Sequence, residues 1–219
     1  MKKHRLQLFL CGYILISSYS ANASELCLRS ASAGKPGLIY LHGLDAPSMS
    51  PSEKTNREVL LYFHKKTSIG VFAPRAKKLC RGAELCWPHA DKEERSREFT
   101  RVIKEATRCF GGKSARFFLG FSNGAYLAAK WHEDCLIAQN KLVIVSGGLG
   151  SKNPKWPLAC SFANLEILIG KKDITLRKAQ NYASKAENTL GELVNFSTHP
   201  LGHTLELKSL VSLIQKFSQ

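Results

Sequence analysis

Short apolar runs of strand length recur along this chain, alternating with longer stretches of helical periodicity. The strand-like runs are Gly37–Leu41, Ile69–Ala73, Ala115–Leu119, Lys141–Val145, Leu165–Ile169 and Glu192–Ser197. Between them lie helix-like segments. The first starts at Ser50, where Ser50 can cap, Pro51 suits the first turn and Glu53 stands three positions on; it runs to about His64. The second, Lys92–Cys109, is charged on one side and apolar at Phe99, Val102, Ile103 and Ala106. Asn123–Trp131, Ile174–Leu190 and His203–Phe217 complete the set, the last with Leu205, Leu207, Leu210, Leu213 and Ile214 on its apolar face. This alternation predicts an α/β fold, a mostly parallel sheet with helices on both faces. Ligands of such sheets bind outside the carboxyl ends of the strands.

The first residues stand apart from this pattern. Lys2, Lys3 and Arg5 precede an apolar run from Leu6 to Ile16, and Ala21-Asn22-Ala23 offers the small-x-small pattern of a signal peptidase site. Residues 1–23 therefore read as a signal peptide, with residues 24–219 as a single domain in a secreted or periplasmic protein. A membrane anchor is the alternative, although the run is short for a span. After residue 23 no apolar run has the length of a transmembrane segment. The leader would remove Cys11 and leave Cys27, Cys80, Cys86, Cys109, Cys135 and Cys160. An even number of cysteines in an exported chain reads as disulfides, with Cys80–Cys86 the favoured pair among 15 possible pairings. No CxxC pair occurs, and the spacings do not resemble a zinc site, so no metal is expected.

The net charge is +15, of which three positive charges lie in the leader, leaving about +12 on the mature chain. A surface of that sign attracts an anionic envelope surface; a general solubility feature is the plainer alternative. No dense Lys/Arg run is interleaved with aromatics, so a specific nucleic-acid ligand is not expected.

The chemistry centres on Gly120-Phe121-Ser122-Asn123-Gly124. A G-x-S-x-G alone is weak, but here it falls between a predicted strand and a predicted helix. In that setting a tight turn lifts the serine hydroxyl above the sheet, and the glycines let strand and helix approach. A serine needs a base, and the base needs an orienting carboxylate. Asp173 follows the strand Leu165–Ile169 in Gly170-Lys171-Lys172-Asp173, and His203 follows the last strand after Gly202. Asp173 has a second reading, as the N-cap of the helix that begins at Ile174. His199 competes with His203; the glycine and the longer loop favour His203. The developing oxyanion needs two donors, for which the Asn123 N–H and the Leu44 N–H, in Leu41-His42-Gly43-Leu44-Asp45, are the candidates. His42 reads as a structural residue of that loop or a proton carrier. With Asp45, Trp87 and His89 it is a candidate lining of the substrate site. Trp87 reads equally as a ring-stacking surface and as core.

Tyr40-Leu41-His42-Gly43, Phe121-Ser122-Asn123-Gly124-Ala125, Gly170-Lys171-Lys172-Asp173 and Gly202-His203 occur in the order of the α/β-hydrolase superfamily. Over about residues 37–217 the chain resembles small esterases of the dienelactone hydrolase and polyhydroxybutyrate-depolymerase-like groups. The resemblance implies a serine hydrolase acting on small or polymeric esters, without a cofactor. Amide or peptide hydrolysis on the same triad is the rival within enzymes. A non-catalytic envelope-binding protein on the same scaffold is the rival outside them. The chain has little room for a cap. Only residues 147–160 could cover the site, so a minimal cap or none, over an open cleft, is expected.

Overall fold

The computed structural model describes residues 25–30, 36–137, 140–147 and 164–217. The leader expected over residues 1–23, and all but the first residue of the segment expected to cover the site, lie outside the described residues.

A seven-stranded sheet organises the chain. In chain order its strands are β1 (Leu26–Leu28), β2 (Gly37–Leu41), β3 (Gly70–Ala73), β6 (Ala115–Phe121), β7 (Lys141–Val145), β8 (Leu165–Gly170) and β9 (Val194–His199). Their spatial order is β1-β3-β2-β6-β7-β8-β9. All neighbours run parallel except β1, which pairs antiparallel with β3. Parallel strands need crossovers, and among the described residues four helices supply them, α1 (Pro51–Thr67), α2 (Lys92–Cys109), α3 (Asn123–Glu133) and α4 (Leu176–Leu190), while α5 (Leu207–Phe217) follows the last strand. The α/β pattern expected from the periodicity is the observed one.

Both faces of the sheet are buried, which explains the nearly unbroken apolar strands. Strand alternation divides them. Leu38, Tyr40, Val71 and Leu119 point to one core, closed by Leu60 and Phe63 of α1 and Leu210 of α5. Ile39, Leu41, Phe118 and Ile144 point to the other, closed by Val102 of α2, Leu127 and Trp131 of α3 and Ala186 of α4. Ser50 caps α1 by accepting from the Glu53 N–H at 3.2 Å, as its sequence signature predicts.

Several elements run a little beyond the expected ends, α1 to Thr67, β6 to Phe121 and α3 to Glu133, and three boundaries differ for an identifiable local reason. Helix α5 begins at Leu207 rather than His203, because the Glu206 carboxylate accepts from the Ser209 N–H at 2.7 Å and caps it there. Helix α4 begins at Leu176 rather than Ile174, after a turn in which Asp173 accepts from Thr175. Strand β9 is shifted from 192–197 to Val194–His199, because Gly191–Leu193 form a turn of 3₁₀ helix. Two elements carry no usable periodicity. They are β1, three residues long, and a hairpin of β4 (Lys78–Leu79) and β5 (Leu85–Cys86) inside the loop after β3.

Disulfides tie down these irregular parts. Cys27–Cys109 fastens β1 to the end of α2, and Cys80–Cys86 closes the hairpin. Cys135 is disulfide-bonded as well. Bridges of this kind persist in oxidising compartments. No described helix is long and apolar enough to cross a membrane.

Counting thiols in denatured, unreduced protein should find Cys27, Cys80, Cys86, Cys109 and Cys135 all blocked. Cys27–Cys109 spans 82 residues, so the paired serine variant should lose about 2–5 kcal/mol in denaturant unfolding. An unchanged unfolding midpoint would contradict the clasp assigned to that bridge.

Candidate functional site

The loops after β2, β6, β8 and β9 all leave the same edge of the sheet, and they carry the serine, aspartate and histidine singled out in the sequence. Ser122 is the residue between β6 and α3. Its φ of 50° and ψ of −112° lie where non-glycine residues are rare. Its N–H donates to the Val145 carbonyl at 2.9 Å, which fixes the turn to β7. The flanking glycines are steric requirements. A Cβ on Gly120 would stand 2.6 Å from the Ala125 Cα, and one on Gly124 would stand 2.6 Å from the His42 carbonyl oxygen. At Gly43 the Cβ would be 3.2 Å from that of Ser122, so the β2 loop reaches the serine itself.

Asp173 and His203 are brought together. His203 Nδ1 lies 2.9 Å from Asp173 Oδ2. An ionised carboxylate only accepts, so Nδ1 carries the hydrogen of this bond. The other carboxylate oxygen accepts from the Thr175 N–H at 2.8 Å and the Thr175 hydroxyl at 2.7 Å. Burial opposes the charge on Asp173. The two Thr175 donors, the nearby Ser146 hydroxyl and His203 outweigh it and hold the carboxyl below its ordinary range. The Ser146 hydroxyl has no hydrogen-bond partner among the described residues. The His203 ring lies 5.1 Å from the ring of Phe121, the neighbour of Ser122, and stays partly open to solvent. No hydrogen bond joins the Ser122 hydroxyl to His203 among the described residues, an openness common in unliganded sites. His199 is buried at the end of β9, with no hydrogen-bond partner for either ring nitrogen among the described residues.

The candidate oxyanion donors are unengaged. Neither Asn123 N–H nor Leu44 N–H has a partner among the described residues. The next amide, that of Asp45, is committed to the Leu85 carbonyl at 3.2 Å. The candidate lining residues fare differently. His42 is fully buried; its Nε2 accepts from the Ala76 N–H at 2.9 Å, so its Nδ1–H donates to the Gly43 carbonyl. Burial pushes its pKa down to about 4. The structural alternative for His42 is therefore the observed one. Trp87 is core too, 1% exposed, and does not line a cleft. Its backbone N–H donates to Asn123 Oδ1 and its indole N–H to the His42 carbonyl, both at 2.8 Å. Asp45 is likewise withdrawn, paired with Arg75 at 2.9 Å and accepting from the Ser50 N–H. Only His89 is exposed, its ring 6.1 Å from that of Tyr126. Among the described residues no group of three or more His, Cys, Asp and Glu could hold a metal.

Sequence reasoning missed Thr175 and Arg75. Thr175 has a local signal, a hydroxyl residue two positions after an aspartate. Arg75 meets Asp45 only through the fold.

Two outcomes follow from this geometry. Gly124→Ala should cost several kcal/mol or prevent folding, since the obstructing atoms are backbone. A variant that melts with the wild type would refute the close approach. NMR of the imidazoles should find the His42 ring neutral at pH 5.5 as its Nδ1–H tautomer. With a folded pKa of about 4 against about 6.5 unfolded, His42 should cost stability as pH falls between those values. A His42 ring titrating near 6.5 would contradict its burial.

No protein-family model matches this chain, and no curated protein matches it in sequence. Solved structures do. Acyl-protein thioesterase 2 of Zea mays superposes with a TM-score of 0.66 at 16% identity, over 89% of this chain and 97% of its own. A Bacillus cereus carboxylesterase gives 0.60 at 17% identity, over 89% and 92%. The fluorophosphonate-binding serine hydrolase F of Staphylococcus aureus gives 0.55 at 16%, over 86% and 84%. The parallel sheet, its strand-to-helix turn at Ser122 and these superpositions together identify the architecture of this chain as the α/β-hydrolase fold.

Proposed function

We propose that this chain is an exported serine hydrolase that cleaves carboxylic esters through an acyl-enzyme. The Asp173–His203 pair carries this reading, because it turns the Nδ1 side of the ring to the carboxylate, so that Nε2 is the nitrogen available as a base on the edge where Ser122 stands in its strained turn. Ser122 Oγ attacks the acyl carbonyl while His203 takes its proton, and Asp173 stabilises the imidazolium that forms. The oxyanion is received by the Asn123 and Leu44 N–H groups, which have no competing acceptor among the described residues. His203 returns the proton to the departing alcohol. Water, activated by the same histidine, then releases the acid and restores Ser122.

The ester preference draws on the structural neighbours, two of which are described as carboxylesterases and one as a thioesterase. Export through a leader ending near residue 23 draws on the disulfides, which would not last in a reducing cytosol.

A fluorophosphonate probe should label Ser122 and no other residue. Ser122→Ala should lose on the order of 10⁴-fold in kcat on a good short-chain ester while its melting point stays near that of the wild type. His203→Ala should fall comparably, because such residues act as a unit, and His199→Ala should lose far less. A Ser122→Ala variant that keeps half its activity, or an inactive His199→Ala beside an active His203→Ala, would overturn the assignment.

A further inference from the structure

The turn that delivers Asp173 also builds a surface that the hydrolytic reading leaves unused. Lys171 and Lys172 precede the aspartate, and Arg177 and Lys178 follow it in the first turn of α4; all four are exposed. None has an ion-pair partner among the described residues, and the only acid of the segment, Asp173, is buried against His203. Cations in a first helical turn oppose the helix dipole, so they do not serve the stability of α4. Among them stands Ile174, 95% exposed, which packs on almost nothing. The neighbouring loop adds a second apolar side chain, Leu201, 46% exposed. The two loops are fastened together: the Lys171 N–H donates to the His199 carbonyl at 2.8 Å, and the Lys172 N–H to that of Leu201 at 3.2 Å.

Charge alone would suit any polyanion, but the apolar members narrow the choice. A soluble polyanion gains nothing from a bare isoleucine, and the patch has no aromatic on which a base would stack. A bilayer of anionic lipids satisfies both halves, with headgroup phosphates meeting the cations and the interface taking up the apolar side chains. We propose that the patch of Lys171, Lys172, Ile174, Arg177, Lys178 and Leu201 docks the protein on an anionic membrane surface. Docking stands on the patch alone. Its consequence, that the Ser122 edge is turned toward acyl groups at the interface, rests on the hydrolase reading above.

Cosedimentation with vesicles tests it. Full-length mature protein should bind vesicles of equal parts phosphatidylglycerol and phosphatidylcholine at about 0.1 M NaCl, and should bind phosphatidylcholine alone weakly or not at all. The combined Lys171→Gln, Lys172→Gln, Arg177→Gln and Lys178→Gln variant should bind the anionic vesicles on the order of 100-fold more weakly. The same change at the opposite edge, on Lys65, Lys66, Lys113 and Arg116, should have a small effect. The Ile174→Ser and Leu201→Ser pair should weaken binding roughly tenfold with all charges kept. Equal losses from the two charge sets would overturn the location, and undiminished binding by the serine pair would assign the patch to a soluble polyanion. Ser122→Ala should bind like the wild type, so a failure of the catalytic assignment leaves this result readable on its own.

Discussion

The approach of Gly124 to the carbonyls of Leu41 and His42 is the contact on which the site depends. Backbone meets backbone there, with no room for a side chain, so the start of α3 is set against the end of β2. Everything around Ser122 follows from that fit. The serine is held in its unusual backbone conformation, and its amide is tied to Val145 on the other neighbouring strand. The β2 loop is brought to the serine at Gly43, and Trp87 clasps the assembly by donating to the side chain of Asn123 and the backbone of His42. A serine held this way can be strained because three strands and an indole overdetermine its position.

Much of this was legible because it is local. The strand-helix alternation, the cap at Ser50 and the turn at Gly120–Gly124 are each written within a few consecutive residues. The element centres were therefore placed well, and the spacing of Asp173 and His203 after successive strands was enough to expect their meeting. What was not legible depends on side chains far apart in the chain. Nothing near Trp87 in sequence says that its indole will reach the His42 carbonyl, 45 residues away, so its two readings stayed level until the fold placed it. Asp45 looked like a lining residue because it follows the oxyanion loop; its partner Arg75 lies after the next strand. The helix ends slipped for a related reason. Periodicity does not distinguish an apolar residue in a loop, such as Ile174 or Leu205, from one on a helix, and the turn in which Thr175 donates to Asp173 and the cap at Glu206 decide instead.

The charges sort by a simple rule. The chain has 17 acidic residues against 32 basic ones, and many of the acids are engaged within the fold. Asp45 holds Arg75, Glu53 holds Arg57 and the Tyr40 hydroxyl, Asp134 holds Arg95, and Glu98 and Glu105 share Arg101. Asp91 and Glu206 cap helices, and Asp173 faces His203. Each of these carboxylates does a job that needs a donor, so the surplus cations are left to the solvent. Repulsion among surplus cations costs little while they are spread out, since water and salt screen them. Four within eight residues, beside an apolar side chain left almost wholly exposed, are another matter. The fold gains no stability from that arrangement, and the cluster flanks Asp173, the carboxylate that meets His203.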